Sequence, residues 1–271
     1  MRQTNKIRKG IAWLLCTVLV LGILPMLPQM SMQISAAENA ASVFVDGVEL
    51  HAGGKKYFKN GDTADSGATG TDEDHSAYYD TAGELWLNNL EAHTIKANGN
   101  LTIYVCNNQE TNTNIVTATQ NETAIEVTGY LTIQYGGYGE TGSLTVESDG
   151  KEAIQAGSGM TVSDGVEVKV RAKSGATAIS SGGVLKIDGI RTKLEAASDG
   201  STGKGIFAQQ SIYVKNSAVL TAFGGAAAYE SPSGIDKSGY GYEDYNVFTG
   251  DAAPGTQAAK DTALDGYKYI R

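Results

Sequence analysis

Isoleucines recur along this chain on a fixed scheme. Thr94-Ile95, Ala124-Ile125, Ala153-Ile154, Ala178-Ile179 and Gly205-Ile206 are each followed, eight residues after the isoleucine, by another β-branched residue: Ile103, Ile133, Val162, Ile187 and Val214. An apolar residue stands two positions before each second member, giving Leu101-Thr102-Ile103, Leu131-Thr132-Ile133, Met160-Thr161-Val162, Leu185-Lys186-Ile187 and Ile212-Tyr213-Val214. A third alternating segment follows in the later repeats: Leu144-Thr145-Val146, Val166-Glu167-Val168-Lys169-Val170, Leu194-Glu195-Ala196 and Leu220-Thr221-Ala222. Alternation of period two marks a strand with one buried face. Each repeat of 25 to 30 residues therefore predicts three short strands. Tight corners are expected at Asp164-Gly165, Asp188-Gly189 and Asn216-Ser217, residue types that accept a left-handed backbone.

Two architectures can hold such strands. A parallel β-helix stacks repeats so that Ile lies on Ile and Val on Val, closing a core that no single repeat can enclose. An antiparallel β-sandwich also uses short strands at this spacing, but it has no reason to keep one offset through five repeats. The pattern predicts an all-β, single-domain parallel β-helix, right-handed by crossover chirality. Five to six rungs at ~4.8 Å make a stub roughly 25–30 Å long.

The pattern also divides the chain. Residues 38–93 form an N-terminal cap, an acidic loop and a first partial rung; 94–225 hold the rungs; 226–271 leave the repeat and form a Tyr-rich C-terminal cap. Within the first piece, VFVDGVEL (43–50) reads as strand–turn–strand, and YYDTAGELWLNNL (78–90) as the lead-in, with Leu85 and Leu87 facing inward. Between them, residues 60–76 hold no apolar residue larger than Ala and predict a mobile surface loop.

Composition adds the compartment. The chain has 271 residues and a net charge of -9, yet residues 1–37 carry Arg2, Lys6, Arg8, Lys9 and no acid. The remaining 234 residues thus hold 17 basic against 30 acidic side chains. That balance disfavours nucleic acid as a partner, since binding it requires a basic footprint. The basic start, the apolar run at 11–24 and Ser35-Ala36-Ala37 match a secretory signal peptide over residues 1–37. Fourteen residues span only ~21 Å as helix, short of the ~30 Å hydrocarbon core, so no transmembrane segment is expected in the mature chain. Localisation is expected to be extracellular, with the protein free or associated with the cell surface. Cys106 is the single cysteine after residue 37, which excludes an intramolecular disulfide there. It reads as an inert thiol.

The opening VFVDGVEL, the lead-in YYDTAGELWLNNL, rungs such as AIEVTGYLTI and AIQAGSGMTV, and the closing YNVFTGDAAPG…YKYIR resemble the parallel β-helix domains of Gram-positive secreted proteins of the carbohydrate-binding domain-containing type. The resemblance spans about residues 43–271. It implies the fold and a polysaccharide or cell-wall glycan as partner, in some cases with calcium. Its motifs are structural, so no ligand residue carries over from it.

Candidate chemistry is sparse. His51, His75 and His93 have no metal-ligand spacing, and no metal site is expected. Gly137-Tyr138-Gly139-Glu140-Thr141-Gly142 matches G-x-G-x-x-G, but a strand pattern follows where a phosphate-binding helix should start. A polysaccharide lyase needs carboxylates holding calcium and a basic residue to remove a proton. Arg171, Arg191 and Arg271 are the mature arginines. A hydrolase needs two converging carboxylates, whereas Asp164 and Asp188 sit at corners. No catalytic residue is assigned. Asp65, Asp72, Glu73 and Asp74 carry oxygens suited to calcium, but their spacing fits no known loop. A solvated acidic loop is expected there, with no assigned cofactor and calcium left open.

Tyrosine supplies the binding candidates, because its ring offers an apolar face and a hydroxyl to a sugar. Tyr135 and Tyr138 lie in an insertion at one corner, and Tyr240 and Tyr242 crowd the C-terminal segment beside Glu243 and Asp244. Amphipathic rings also make good covers for solenoid ends, and that reading stands beside the first. The sequence thus predicts a secreted, non-catalytic carbohydrate-binding or adhesion module. A small polysaccharide lyase or hydrolase, and a purely structural cell-surface protein, are the alternatives.

Overall fold

The apolar positions eight residues apart are the frame of the molecule. A computed structural model describes residues 38–51, 56–106, 113–119, 121–137 and 141–236, with the backbone alone of three short strands at 247–249, 256–257 and 269–270. All described residues are strand, turn or irregular, with no helix among them.

The chain opens with β1 (Ser42–Val45), β2 (Val48–His51), β3 (Lys56–Phe58), β4 (Ala77–Tyr79), β5 (Glu84–Asn88) and β6 (Glu91–Ala92). Five complete turns follow. They are β7 (Ile95–Ala97), β8 (Leu101–Cys106) and β9 (Asn114–Ala118); β10 (Ile125–Val127), β11 (Tyr130–Tyr135) and β12 (Ser143–Asp149); β13 (Ile154–Ala156), β14 (Gly159–Ser163) and β15 (Glu167–Lys173). The last two are β16 (Ile179–Ser181), β17 (Leu185–Asp188) and β18 (Lys193–Ser198), then β19 (Lys204–Ala208), β20 (Ile212–Lys215) and β21 (Val219–Gly224). Corresponding strands stack in parallel, so the molecule is a β-solenoid with three sheets.

Register follows the repeat. Ile95, Ile125, Ile154, Ile179 and Ile206 are successive partners in the first sheet. Ile103, Ile133, Val162, Ile187 and Val214 stack in the second. Leu144, Val168, Leu194 and Leu220 stack in the third. These columns are buried and form one core, with Val214 partly covered at its end. β9 lacked a sequence signal because its first inward position is Asn114. That side chain is fully buried and spans the corner: its carbonyl accepts the Leu90 N–H at 3.0 Å, and its amide donates to the Cys106 and Ser143 carbonyls at 3.3 Å.

Corners set how closely the turns approach. A Cβ at Gly182 would meet the Gly157 carbonyl oxygen at 1.9 Å, so only glycine fits there. Asp164-Gly165 and Asn216-Ser217 take two successive left-handed conformations, with φ of 59° and 82°, and of 54° and 63°. At the expected Asp188-Gly189 corner the left-handed residues are Gly189 and Arg191, so that turn is wider and Asp188 stays in β17.

Antiparallel strands cover part of each end, the usual protection for an open parallel edge. The hairpin β1–β2 lies antiparallel on β7, and β3 and β4 extend the second sheet from β5. One Asp46 carboxylate oxygen accepts the His93 and Thr94 N–H groups, tying the hairpin turn to the first rung. At the far end the stacking runs on past residue 225: β22 (Ala227–Glu230) pairs with β19 and β23 (Ile235–Asp236) with β20, both parallel. The sequence repeat ends there because Tyr229, not isoleucine, follows Ile206 in the column. β24 (Val247–Thr249), β25 (Thr256–Gln257) and β26 (Tyr269–Ile270) then add antiparallel strands beyond β21.

Residues 60–76 have no regular structure, yet they carry their own framework. Asp62 is buried and accepts bonds from the Thr69 hydroxyl and from the Lys59 and Thr69 N–H groups. Desolvation alone would raise the pKa of Asp62, but these bonds outweigh it and hold the carboxyl below its ordinary value.

Candidate functional site

Of the tyrosine candidates, Tyr138, Tyr240, Tyr242, Glu243 and Asp244 lie outside the described residues. Tyr135 ends β11 opposite Val105 and packs against the core. A Cβ added at Gly137 or Gly142 would come within 2.7 or 2.8 Å of its side chain, so the corner wraps closely around the ring. Its hydroxyl is shut off from solvent and has no partner among the described residues, and desolvation raises its pKa. The hydroxyl expected to meet a sugar is thus buried, while the residue as a whole stays partly exposed.

A different set of rings is brought together on the outer face of the second sheet. Alternation sends Leu85 and Leu87 into the core and therefore Trp86 out; the same holds for Tyr104 between Ile103 and Val105. Register then places Tyr57, Tyr78, Trp86, Tyr104, Gln134 and Ser163 in one column across β3, β4, β5, β8, β11 and β14. Trp86 stacks on Tyr104 with ring centroids 4.1 Å apart and planes 10° apart. Tyr78 stacks on the other side of Trp86 at 5.8 Å and 2°. Tyr57 continues the ladder at 5.9 Å and a 48° tilt, and His75 meets the Tyr78 ring edge-on at 5.2 Å.

Because these rings stand face to face along the solenoid, their faces are used by one another and their edges point to solvent. An aromatic edge carries the positive end of the ring quadrupole, so it attracts oxygen lone pairs. Polar groups line the same strip. Tyr57 donates to Asp72 at 2.6 Å, Trp86 Nε1 to Asp80 at 3.3 Å, and Tyr104 to Glu84 at 3.3 Å. The bond to Asp72 pushes the Tyr57 phenol up to about 12. Burial, aided by nearby negative charge, raises Tyr78 and Tyr104 as well. Tyr57 and Tyr104 thus give their O–H to Asp72 and Glu84 and keep phenol oxygens that can accept.

The third sheet presents a contrasting surface. A trough of about 540 Å³ is lined there by Glu167, Lys169, Lys193, Glu195, Val219 and Phe223, among others. Register sets Glu167 beside Lys193 and Lys169 beside Glu195. Glu167 lies 3.4 Å from Lys169 and 3.6 Å from Lys193. Nearby, Arg171 forms a two-point pair with Asp199 at 2.8 and 2.9 Å, which raises its pKa further and disqualifies it as a proton-abstracting base. Cys106 ends β8, and burial pushes its thiol up to about 11, so it is not a thiolate nucleophile at neutral pH. Among the described residues no three metal-binding side chains cluster.

Comparison with protein-family models, with curated proteins and with solved structures returns no match for this chain. The outward ring ladder is therefore its most distinctive surface on geometric grounds alone. The sequence did carry half of its signal: Trp86 and Tyr104 each sit between two inward apolar residues. Tyr57, His75 and Tyr78 join through antiparallel caps, whose register no repeat fixes.

Proposed function

We propose that this protein is an exported, non-catalytic carbohydrate-binding module that meets a polysaccharide with the outer face of its second sheet. The observation that carries the reading is the half-exposed ladder Tyr57–Tyr78–Trp86–Tyr104 with Asp72, Asp80, Glu84 and Gln134 along it. Sugars present hydroxyls that both donate and accept. Phenol oxygens and carboxylates accept, the Gln134 amide both donates and accepts, and ring edges take up the oxygen lone pairs. Recognition in this reading is by edges and hydroxyls, not by a sugar stacked flat on one ring.

The face is flat and rigid, which limits the ordering entropy that binding costs. Its contacts are few and solvated, so affinity per site is weak and attachment to a surface polymer relies on many contacts at once. Gel-retardation in soluble neutral polysaccharides tests the reading. Retardation by at least one of them, lost in Trp86→Ala, supports it; migration unaffected by every polysaccharide overturns it.

A further inference from the structure

Beside the ladder runs a second column of outward residues: Glu84, Thr102, Thr132, Thr161, Lys186 and Tyr213. Its middle is three threonines, one on each of three successive strands. Outward side chains flank them on both sides. Tyr104, Gln134 and Ser163 stand on one side, and Tyr130 on the other, two residues before Thr132 on the same strand. The Tyr130 ring crosses Gly159, where a Cβ would come within 2.7 Å of it, and its hydroxyl meets that of Thr161 at 2.7 Å. No described ring stacks on Tyr130, so its face is not taken by an aromatic neighbour as the ladder faces are. The side chains of Thr102 and Thr132 are both partly exposed.

We infer that this threonine lane is the main subsite for the ligand and that it takes an extended, uncharged oligosaccharide lying along the solenoid axis, one sugar to a rung. The inference rests on the carbohydrate-binding reading and specifies its ligand. Rungs repeat at ~4.8 Å, close to the length of one hexose in an extended chain, so successive sugars meet successive threonines. The three threonines form an uncharged floor. Glu84 and Lys186 bound its two ends, with Lys186 held by Asp188 at 2.6 Å. A polyanion would lie against Glu84, Asp80 and Asp72, with no row of cations beside the lane among the described residues to answer it. Tyr130 supplies a ring face for the apolar side of one sugar.

The test is calorimetric titration of the full chain with cello-, xylo-, manno- and N-acetylchito-oligosaccharides of two to six units, and with oligogalacturonates as the charged comparison. At least one neutral series should gain affinity with each added unit until the lane is filled, then level off. Thr132→Val, which keeps shape and removes the hydroxyl, should weaken the longer members roughly three- to tenfold and leave the disaccharide unchanged. Binding that is lost in Trp86→Ala yet insensitive to Thr102→Val, Thr132→Val and chain length would overturn the lane while leaving the ladder reading intact. Tighter binding of oligogalacturonates would overturn the uncharged ligand. Absence of heat from every series would overturn both.

Discussion

The outer faces of the second and third sheets grow from the same strand pattern and differ in everything placed on it. The second carries stacked rings and threonines in columns, with charge confined to the margins. The third carries a checkerboard of Glu167, Lys193, Lys169 and Glu195. Inward positions in both stack like on like at their centres, Ile and Val in the second sheet and Leu and Val in the third, with smaller Ala and Ser columns beside them in the third. Outward positions are free of that demand. The solenoid therefore fixes spacing and leaves chemistry to the outer columns. A charged checkerboard neutralises itself and keeps a broad parallel sheet soluble. A ring ladder with half-exposed edges costs solubility, and that cost is a reason to propose a function for that face.

The contrast can be broken most severely at Trp86. Trp86→Ala removes two stacked contacts and should cost about 3 kcal/mol in chemical denaturation, together with all polysaccharide retention. Gly182→Ala strikes the frame shared by both faces. Its methyl would collide with the Gly157 carbonyl, costing about 2 kcal/mol, with glycan affinity per folded molecule unchanged.

Asp62→Asn loosens the loop that brings Asp72 and His75 to the ladder, and should cost about 1–2 kcal/mol at neutral pH. The sign of its pH dependence follows from a lowered folded pKa. The contribution is complete above the ordinary value of 3.8 and is lost as pH falls through the lower folded value, so melting curves of wild type and variant should converge there. The smallest effect is expected on the third sheet. Glu167→Gln unbinds Lys169 and Lys193, whose side chains are more than half exposed. It should cost under about 1 kcal/mol, less in high salt, and leave glycan retention intact.

How much of this was legible depended on which force placed each residue. The interior columns were readable because burial repeats a residue type at each rung, as at Ile95, Ile125, Ile154, Ile179 and Ile206. The corners Asp164-Gly165 and Asn216-Ser217 were readable because positive φ restricts residue choice. β9 was not, since Asn114 buries a hydrogen-bonding group where its counterparts bury leucine or valine. The continuation into β22 was hidden by Tyr229 taking an isoleucine's place. Tyr135 is a mixed case. Leu131, Ile133 and Tyr135 share one parity, and the Tyr135 hydroxyl is buried, but at the strand's end the residue stays partly exposed. The threonine lane was visible in each rung as the centre of Leu-Thr-Ile or Met-Thr-Val, but its meaning depends on Tyr130 and Gly159, which only the packed structure sets side by side.

The most direct test of the proposed glycan-binding face compares wild type, Trp86→Ala and Glu167→Gln in native gels cast with neutral soluble polysaccharides, each variant first shown to melt cooperatively. Retardation of wild type and of Glu167→Gln, with free migration of Trp86→Ala, is the predicted result. Equal migration of all three in every gel, or loss of retardation in Glu167→Gln alone, would contradict it.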